Sequence, residues 1–400
     1  MKLLRLIPLL CTFAAFAQTP EKPKRLDAST FPSLQAAFDA LPASGGIVVI
    51  PPGDYDITEP LRIRTAETRI EGSGASTHIR NKNEAGEPAL VLAPPTIDTD
   101  KKARLWRVQV GNLRISGNPK SGDGIFAHGI QEIFLQGVSI DHHGRHGIHL
   151  LDCYEDPRVN DSILTYNAAS GLHISGAHDI VVSGNHFEEN LDAITCHDAF
   201  NLCANGNNID DHLRHGIVIE NTYGSVVSGN MIEECNGTAI ILDRDCYGIA
   251  LSANVIAHHL EGGIDLRDAW GCSVSANTFV LCHKFSVRVG PAAGRSPISG
   301  NAFTNSFMGD GQKRPAEAKT PMGIDAAGGV VLEGAKDVLI SGNTFTGLDR
   351  EAVIADTATE RVLVNGNLLT DCARKLDAGA KWIVIDAAKD SIARDNLGAK

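Results

Sequence analysis

The sequence has few aromatic residues, no excess of positive charge and, beyond its N-terminus, no long apolar run. Aromatic residues make up 5% of the 400 residues, whereas 40 are glycine. This composition favours many short strands joined by tight turns over a helical enzyme. The formal net charge of −12 argues against nucleic acid as a partner, although a local arginine cluster could still bind an anionic sugar polymer. No later stretch is apolar enough for a membrane-spanning helix.

The first residues have the pattern of a secretory signal peptide. Lys2 and Arg5 precede an apolar run that ends in Ala15-Phe16-Ala17, and small residues at such a position mark a cleavage site. We therefore predict a signal peptide over residues 1–17 and a mature protein that is secreted or periplasmic.

A short motif ending in Gly-Asn or Ala-Asn, as in "VVSGNHF" and "SVSANTF", recurs along the chain. The steps between successive motif asparagines are 22, 23, 24, 23, 24, 42 and 24 residues. A period near 23 with short β segments indicates a solenoid, and glycine and asparagine tolerate the positive φ that sharp corners demand. The sequence therefore predicts an all-β fold, a right-handed parallel β-helix, in which these asparagines stack coil on coil: Asn185, Asn207, Asn230, Asn254, Asn277, Asn301, Asn343 and Asn367.

The repeat also suggests how the chain is organised. We predict an N-terminal linker and capping helix over residues 18–44, with "TFPSLQAAFDALP" as the short amphipathic helix that covers the open sheet edge. Residues 45–400 then form a single β-helix. The long step of 42 residues contains a polar loop over residues 305–326, which we expect to protrude.

The cysteines are not expected to form disulfides. There are nine, and eight remain without Cys11. Cys235, Cys282 and Cys372 share one column of the repeat in coils that are not adjacent. Stacked strands lie roughly 4.8 Å apart, so residues two coils apart exceed the Cα separation of about 7 Å that a disulfide spans. We interpret the cysteines as small core residues.

The opening "SLQAAFDALPASGGIVVIPPGDYDI" and the "SGNxF" coils resemble the pectate-lyase-like superfamily of right-handed β-helix proteins. This superfamily includes pectate lyases, polygalacturonases, alginate epimerases, phage tailspikes and inulin fructotransferases. The resemblance implies a carbohydrate-active protein, a polysaccharide or oligosaccharide substrate and, by similarity to trimeric members, a homo-oligomer as a further partner.

The subfamily motifs do not match. Of the polygalacturonase motifs only Asp210-Asp211 and the "RHG" at 214–216 are present, and the Asp-Pro-His of mannuronan epimerases is absent. "IPPGDYD" and "NMIEEC" are similar to inulin fructotransferases. By that alignment, however, the catalytic carboxylates would fall near Gly229 and Ile241, which cannot transfer protons.

The second strand of each repeat carries charges that alternate with core residues. Side chains alternate across a strand, so stacking these strands predicts two outward columns. The first reads His149, His173, Thr195, Val218, Ile241, Asp265 and Arg288, and the second reads Leu151, Ser175, His197, Glu220, Asp243, Arg267 and Gly290. The sequence therefore predicts one contiguous charged face in the middle of the rod.

This face has the residue types of a carbohydrate-active site. Glu220 and Asp243 should lie roughly 5 Å apart at the backbone, so that one pKa rises, as glycosidic cleavage requires. With Asp265 as a further carboxylate and His197 as an acid or base, these four are the predicted catalytic residues. Arginines could bind a sugar carboxylate or polarise it for elimination; the predicted substrate-binding residues are His173, Arg244, Arg267, Asp268 and Arg288.

A metal is not required by the spacing. Asp243, Asp245, Asp265 and Asp268 could supply the three or more oxygens that Ca²⁺ needs, and Ca²⁺ is the cofactor that would fit. The members of the pairs His142-His143 and His258-His259 face opposite ways in a strand, so neither pair is predicted to bind a metal.

Three functions remain open at this point. A polysaccharide lyase or glycoside hydrolase would use the clustered carboxylates and arginines. A glycan-binding or surface-structural rod would carry the same charges for solubility and ion pairing. A sugar epimerase or fructotransferase-like enzyme would rearrange the sugar without leaving new chain ends.

Overall fold

The short β segments and their corners form a rod of stacked coils, a right-handed parallel β-helix as predicted. The computed structural model describes residues 24–305 and 326–399. The predicted signal peptide and nearly all of the predicted loop at 305–326 lie outside the described residues. Each coil contributes strands to three parallel sheets, and every strand pairs with its counterpart in the next coil.

The sheets are numbered in the order in which the chain first enters them. Sheet 1 consists of Lys24–Asp27, Gly46–Val49, Thr68–Glu71, Val108–Ser116, Phe134–Asp141, Arg158–Asn160, Val181–Ser183, Cys203–Asn205, Val226–Ser228, Ala250–Ser252, Ser273–Ser275, Gly294–Ser299, Lys336–Ser341, Glu360–Asn365 and Ile392–Arg394. Sheet 2 consists of Gly53–Ile57, Thr77–Asn81, the second halves of Val108–Ser116 and Phe134–Asp141, then Ile163–Thr165, His186–Glu188, Asn208–Asp210, Met231–Glu233, Val255–Ala257, Thr278–Val280, Ala302–Thr304, Thr344–Thr346 and Leu368–Thr370.

Sheet 3 carries the predicted charged face. Its strands are Leu61–Ile63, Leu90–Leu92, Ile125–His128, Ile148–Leu151, Ser170–His178, Asp192–Phe200, His215–Tyr223, Thr238–Asp243, Gly262–Leu266, Phe285–Val289, Val330–Leu332, Val353–Ala355 and Ile383–Val384. Short strands also pair beside sheet 3. Leu105–Trp106 pairs with Ile130–Gln131. Cys246–Tyr247 pairs with Ala269–Trp270 on one side, and its Tyr247 pairs with Tyr223 on the other.

The predicted capping helix is present as Leu34–Asp39, with short 3₁₀ turns at Ala28–Thr30 and Gly74–Ser76. Ser33 begins the helix by accepting a hydrogen bond from the Ala36 amide at 3.1 Å. Gln35 bonds both the amide and the carbonyl of Arg62, at 2.7 and 3.1 Å. Leu61–Ile63 is the edge strand of sheet 3, so the helix satisfies the edge that would otherwise be open.

The predicted asparagine column is buried at the corner between sheets 1 and 2. Asn207 is representative: its amide N–H and its side-chain Nδ2 both donate to Oδ1 of Asn230 at 3.0 Å, and Nδ2 also donates to the Val182 carbonyl. Gly206, with φ of +63°, turns the chain just before it. The column runs from Asn185 through the predicted residues to Asn396, one coil further than predicted.

A second buried polar column lies at the corner between sheets 2 and 3. It contains His143, Asn167, Asn190, His212 and His259, each at most 1% exposed. Asn167 and Asn190 repeat the asparagine pattern, with Nδ2 of Asn167 donating to Oδ1 of Asn190 at 2.9 Å. Burial lowers the pKa of each of the three histidines to about 4, so they are neutral at pH 7.

The interior is filled by stacked aliphatic side chains in register, such as Ile174, Cys196, Ile219, Leu242 and Leu266. The eight cysteines of the described residues are all free, and all but the half-buried Cys203 are in the core, which confirms the interpretation as core residues. No helix in the described ranges is long and apolar enough to cross a membrane.

Candidate functional site

The first predicted outward column of sheet 3 is in register throughout, and the second is in register as far as Asp243; Arg267 and Gly290 lie just beyond the paired strands. His149, His173, Thr195, Val218, Ile241, Asp265 and Arg288 follow one another strand by strand. Leu151, Ser175, His197, Glu220 and Asp243 form the second column in the same way. We call this surface of sheet 3 the charged face.

Glu220 is the centre of a three-residue contact on the charged face. Nδ1 of His197 lies 3.0 Å from Oε2 of Glu220, and Nη1 of Arg244 lies 2.8 Å from the same oxygen. Burial raises the pKa of Glu220, but the hydrogen bond from Arg244 and the contact with His197 outweigh it, so this pKa is lower than usual. The prediction that the Glu220–Asp243 pair would raise a pKa is therefore wrong for Glu220, because its closest partners are cationic or hydrogen-bond donors.

Asp243 and Arg267 make a looser contact beside this centre. Oδ1 of Asp243 accepts the amide of Arg244 at 2.9 Å, while Nη1 of Arg267 lies 3.7 Å from Oδ2. The side chains of Asp243 and Arg267 are 31% and 40% exposed, so a bound molecule could reach both. Asp268 lies half-buried in the turn after Gly262–Leu266 and has no ion pair among the described residues.

Asp265 is not exposed on the charged face as we expected. Its side chain is 1% exposed because two arginines cover it. Arg288 donates to both carboxylate oxygens at 2.8 and 2.7 Å, and Nε of Arg267 donates to Oδ2 at 2.7 Å. Three charge-assisted hydrogen bonds fix the arginines in place. Asp265 therefore orients Arg267 and Arg288 and is out of reach of a substrate.

Four histidines lie side by side toward the N-terminal end of the charged face. The rings of His146 and His173 stack with centroids 4.5 Å apart, His149 meets His173 at 4.8 Å, and His197 lies 5.2 Å from His173. Burial and the neighbouring histidines lower the pKa of His173 to about 3, and burial lowers that of His146 to about 4. Both rings are therefore neutral at pH 7 and weak bases, so His146 and His173 can form hydrogen bonds with a substrate but are poor proton acceptors.

Sequence reasoning missed the buried aspartates that precede the strands of sheet 3. Asp123 accepts from the His146 amide at 3.0 Å and from Nδ1 of His149 at 3.3 Å. Asp192 accepts from Nε of Arg214 at 2.9 Å. These residues share a further column, at or just before the start of each strand of sheet 3, that the two outward columns did not include. The signal was present in the alternation of Asp123, His146, Ser170, Asp192 and His215 at the coil period.

The ligand atoms of an acidic cluster converge on sheet 2, away from the charged face. Glu233, Glu234 and His258 form one group within 4.8 Å, and Asp210, Asp211 and Glu234 form another. Burial, followed by the neighbouring acids, raises the pKa of Asp210 and of Glu234. His258 and His259 have different partners, since Nδ1 of His258 lies 3.0 Å from Oε1 of Glu233 whereas Nε2 of His259 lies 3.1 Å from the carbonyl of Ile232, as predicted for a pair that does not bind one metal together. The aspartates proposed for Ca²⁺ belong to neither group in the described part of the chain.

Aromatic rings also stack along the rod beside the charged face. His178, Phe200, Tyr223 and Tyr247 lie face to face, with neighbouring centroids 4.8 to 5.1 Å apart. Within the stack, neighbouring rings cover one another's faces, which stabilises the stacking of coils. Tyr247 at the end of the stack is 49% exposed.

Comparison with known proteins agrees with this architecture. The family model for the right handed beta helix region matches residues 123–279 and 215–396, together more than half of the chain. The chain belongs to this family. A search of curated proteins gives no match.

Solved structures similar to this right-handed β-helix protein include several enzymes. The Azotobacter vinelandii mannuronan C-5 epimerase AlgE6 A-module has 17% identity and a TM-score of 0.51, covering 93% of this chain and 98% of that chain. The Yersinia enterocolitica family 28 exopolygalacturonase has 11% identity and a TM-score of 0.57, covering 92% and 78%. DFA-IIIase from Arthrobacter chlorophenolicus A6 has 13% identity and a TM-score of 0.56, covering 80% and 94%. At these identities the likeness concerns the fold.

Proposed function

We propose that this protein is an exported carbohydrate-active enzyme that cleaves an acidic polysaccharide by elimination, with the substrate lying on the charged face. The similarity in fold to an epimerase, an exopolygalacturonase and a fructan-processing enzyme supports a saccharide substrate. The predicted signal peptide supports action outside the cytoplasm. The contact of His197 and Arg244 with one oxygen of Glu220 carries the proposal for the chemistry.

Glu220 prepares His197 to act as a base. An ionised carboxylate only accepts hydrogen bonds, so Nδ1 of His197 must be the donor, and this leaves the lone pair on Nε2. A histidine held in one tautomer by a carboxylate is the arrangement that general bases use. His197 is 23% exposed at the side chain, so Nε2 can meet a bound sugar.

The arginines provide the other requirement for elimination. The proton on the carbon next to a uronate carboxylate becomes acidic when the charge on that carboxylate is neutralised. The side chains of Arg244 and Arg267 are 56% and 40% exposed and can pair with it. His197 removes that proton, the electron pair forms a carbon–carbon double bond, and the bond to the glycosidic oxygen breaks. The leaving oxygen takes a proton from solvent, which yields one unsaturated uronate and one new chain end.

Hydrolysis is less well supported on this face. A glycosidase needs a protonated carboxylic acid beside an ionised one. The pKa of Glu220 is lowered, and Asp265 is covered by two arginines. The carboxyls whose pKa is raised, Asp210 and Glu234, lie on sheet 2.

The test is to incubate the protein with a panel of acidic and neutral polysaccharides and to follow ultraviolet absorbance together with reducing ends. Elimination raises both signals in parallel on an acidic polymer. A rise in reducing ends alone would identify a hydrolase. A change in sugar stereochemistry by NMR with neither signal would identify an epimerase. Saturable binding with no product would favour the non-catalytic rod and contradict the proposal.

A further inference from the structure

A pocket of about 480 Å³ opens at the N-terminal end of the charged face. Its floor includes Arg62, Arg64 and Phe126, and the irregular segment after Leu90–Leu92 supplies an apolar wall that includes Pro94 and Ile97. This volume lies within the range of sites that hold a small molecule.

The pocket is continuous with the charged face. Arg62, Val91, Phe126 and His149 pair in register, so the first outward column extends from the histidine cluster into the pocket. His128 pairs with Leu151 and extends the second column in the same way, and both His128 and Arg64, which directly follows Leu61–Ile63, line the pocket. At roughly 4.8 Å per coil, the three coils from His128 to His197 span about 14 Å.

The pocket is lined by two groups of charged residues, the arginines on its floor and the exposed acids around it. Arg62 and Arg64 on the floor form no ion pair among residues 24–305 and 326–399. Arg145 lies 3.8 Å from Asp123, which is itself buried and hydrogen-bonded to His149. Two exposed acids, Glu87 and Asp98, also line the pocket. The floor can therefore pair with an anionic group, while the exposed carboxylates can accept hydrogen bonds from sugar hydroxyls.

The face also ends at the pocket. Leu61–Ile63, which carries Arg62, is the edge strand of sheet 3, and Gln35 of the capping helix occupies the free backbone groups of Arg62. No further strand of sheet 3 exists in the described ranges on this side. A saccharide lying along the charged face meets the end of its binding surface here.

We infer that the pocket binds an anionic sugar residue at the end of the substrate chain, with its acidic group on Arg62 and Arg64 and its ring against Phe126. The enzyme then cleaves from a chain end. This inference rests on the proposed function for its place in the reaction, but binding in the pocket does not require catalysis.

The binding test uses single sugars and does not depend on turnover. Glucuronate, galacturonate and mannuronate, with glucose as the neutral probe and glucose 6-sulfate as the sulfate probe, are titrated by calorimetry or ligand-observed NMR. We expect a uronate or the sulfate to bind and glucose to bind at least about tenfold more weakly, because charge-assisted bonds to two arginines are lost. Whether the strongest of the four acidic probes is a uronate or the sulfate identifies the anionic group as carboxylate or sulfate.

Substitutions test whether the acidic probe binds in this pocket. The double variant Arg62→Ala and Arg64→Ala should bind the acidic probe at least about tenfold more weakly than the wild type. Arg350→Ala, which removes an exposed arginine near the opposite end of the rod, should leave affinity unchanged. His197→Ala should also bind as the wild type, so a failure of the catalytic proposal leaves this result intact. Thermal melts verify that each variant is folded. Equal affinity in the double variant, equal affinity for glucose, or no binding of any acidic probe would overturn the inference.

The position of cleavage provides the second readout. Release of products of one small size from the start, with little loss of polymer viscosity, is expected for the wild type. Rapid viscosity loss with products of all sizes would contradict binding at a chain end.

Discussion

The asparagine column and each outward column of the charged face are built from one residue per coil, stacked at the same spacing, yet they differ in composition. From Asn185 to Asn396 the column repeats one residue type, and each amide bonds the next. In the second outward column of the charged face the residue changes at every coil, from Ser175 to His197 to Glu220 to Asp243. Coil stacking alone is satisfied by repetition. The variation on the charged face therefore requires another explanation, and a substrate with different groups along its length provides one.

The two regions also differ in how completely their polar groups are satisfied. The side-chain amide of Asn207 donates two hydrogen bonds, one to the Val182 carbonyl and one to Oδ1 of Asn230. On the charged face only Asp265 reaches comparable saturation, between Arg267 and Arg288. Arg244 and Arg267 keep exposed donors. Changes in the column should therefore affect stability, and changes in the exposed part of the face should affect activity.

The largest expected effect is on catalysis. His197→Ala should reduce kcat about 10²- to 10⁴-fold, because general base catalysis contributes this much, and should change the free energy of unfolding by less than about 0.5 kcal/mol. Initial rates of unsaturated product formation measure it. The matched control is His186→Ala, since His186 forms a similar contact with Glu188 at 3.3 Å on sheet 2. Equal losses in the two variants would contradict the assignment.

A smaller effect, on stability, distinguishes two neighbouring asparagines. Asn207→Ala leaves the amide of Asn185 and the carbonyl of Val182 without their partners, which should cost about 2–4 kcal/mol. The exposed Asn208→Ala should cost less than about 0.5 kcal/mol. Denaturant unfolding measures both. Activity per folded molecule should be unchanged. A loss of kcat in the folded Asn207→Ala protein would contradict the claim that the asparagine column affects stability and the charged face affects activity.

The second buried column predicts a dependence of stability on pH. The pKa of His143, His212 and His259 is about 4 in the fold and about 6.5 in an unfolded chain. Between these values the unfolded state binds protons that the folded state does not, so stability falls as the pH is lowered from about 6.5 to about 4. The loss should be roughly 1–3 kcal/mol per histidine. Melting temperatures across this range measure it.

A matched variant isolates one of these histidines. His259→Asn substitutes the residue that the column already uses at Asn167 and Asn190, and it should reduce the acid-side loss of stability by the share of one histidine, roughly 1–3 kcal/mol, while leaving the slope near neutral pH unchanged. An unaltered slope would show that the pH dependence arises elsewhere.

The smallest effect is expected at Asp265. Asp265→Asn keeps the shape but weakens the bonds to Arg267 and Arg288. We expect about 1–2 kcal/mol of lost stability and a raised KM with a smaller change in kcat, because the arginines lose their orientation. A loss of kcat as large as that of His197→Ala, with KM unchanged, would instead make Asp265 a catalytic group.

The coil period was enough to predict the fold, the structural role of the asparagine column and the register of His173, His197, Glu220 and Asp243. The second buried polar column, with His143, His212 and His259, was not predicted. Alternation along a strand determines which column a side chain belongs to. It does not determine where a long arginine extends, so the burial of Asp265 and the lowered pKa of Glu220 were not predictable. Asp123 and His146 precede the strands and fell outside the two columns. The pocket depends on an irregular segment around Pro94 that belongs to no repeat.

Because the capping helix covers the edge strand at one terminus, the length of such a rod can change during evolution through its internal coils. Because each coil contacts only its neighbours, duplication of one internal coil would lengthen the saccharide track by roughly 4.8 Å without disturbing either terminus. The end pocket would keep its structure but move one step further from His197. Under the binding mode that we propose, coil number would set how far from its terminus a polymer is cut.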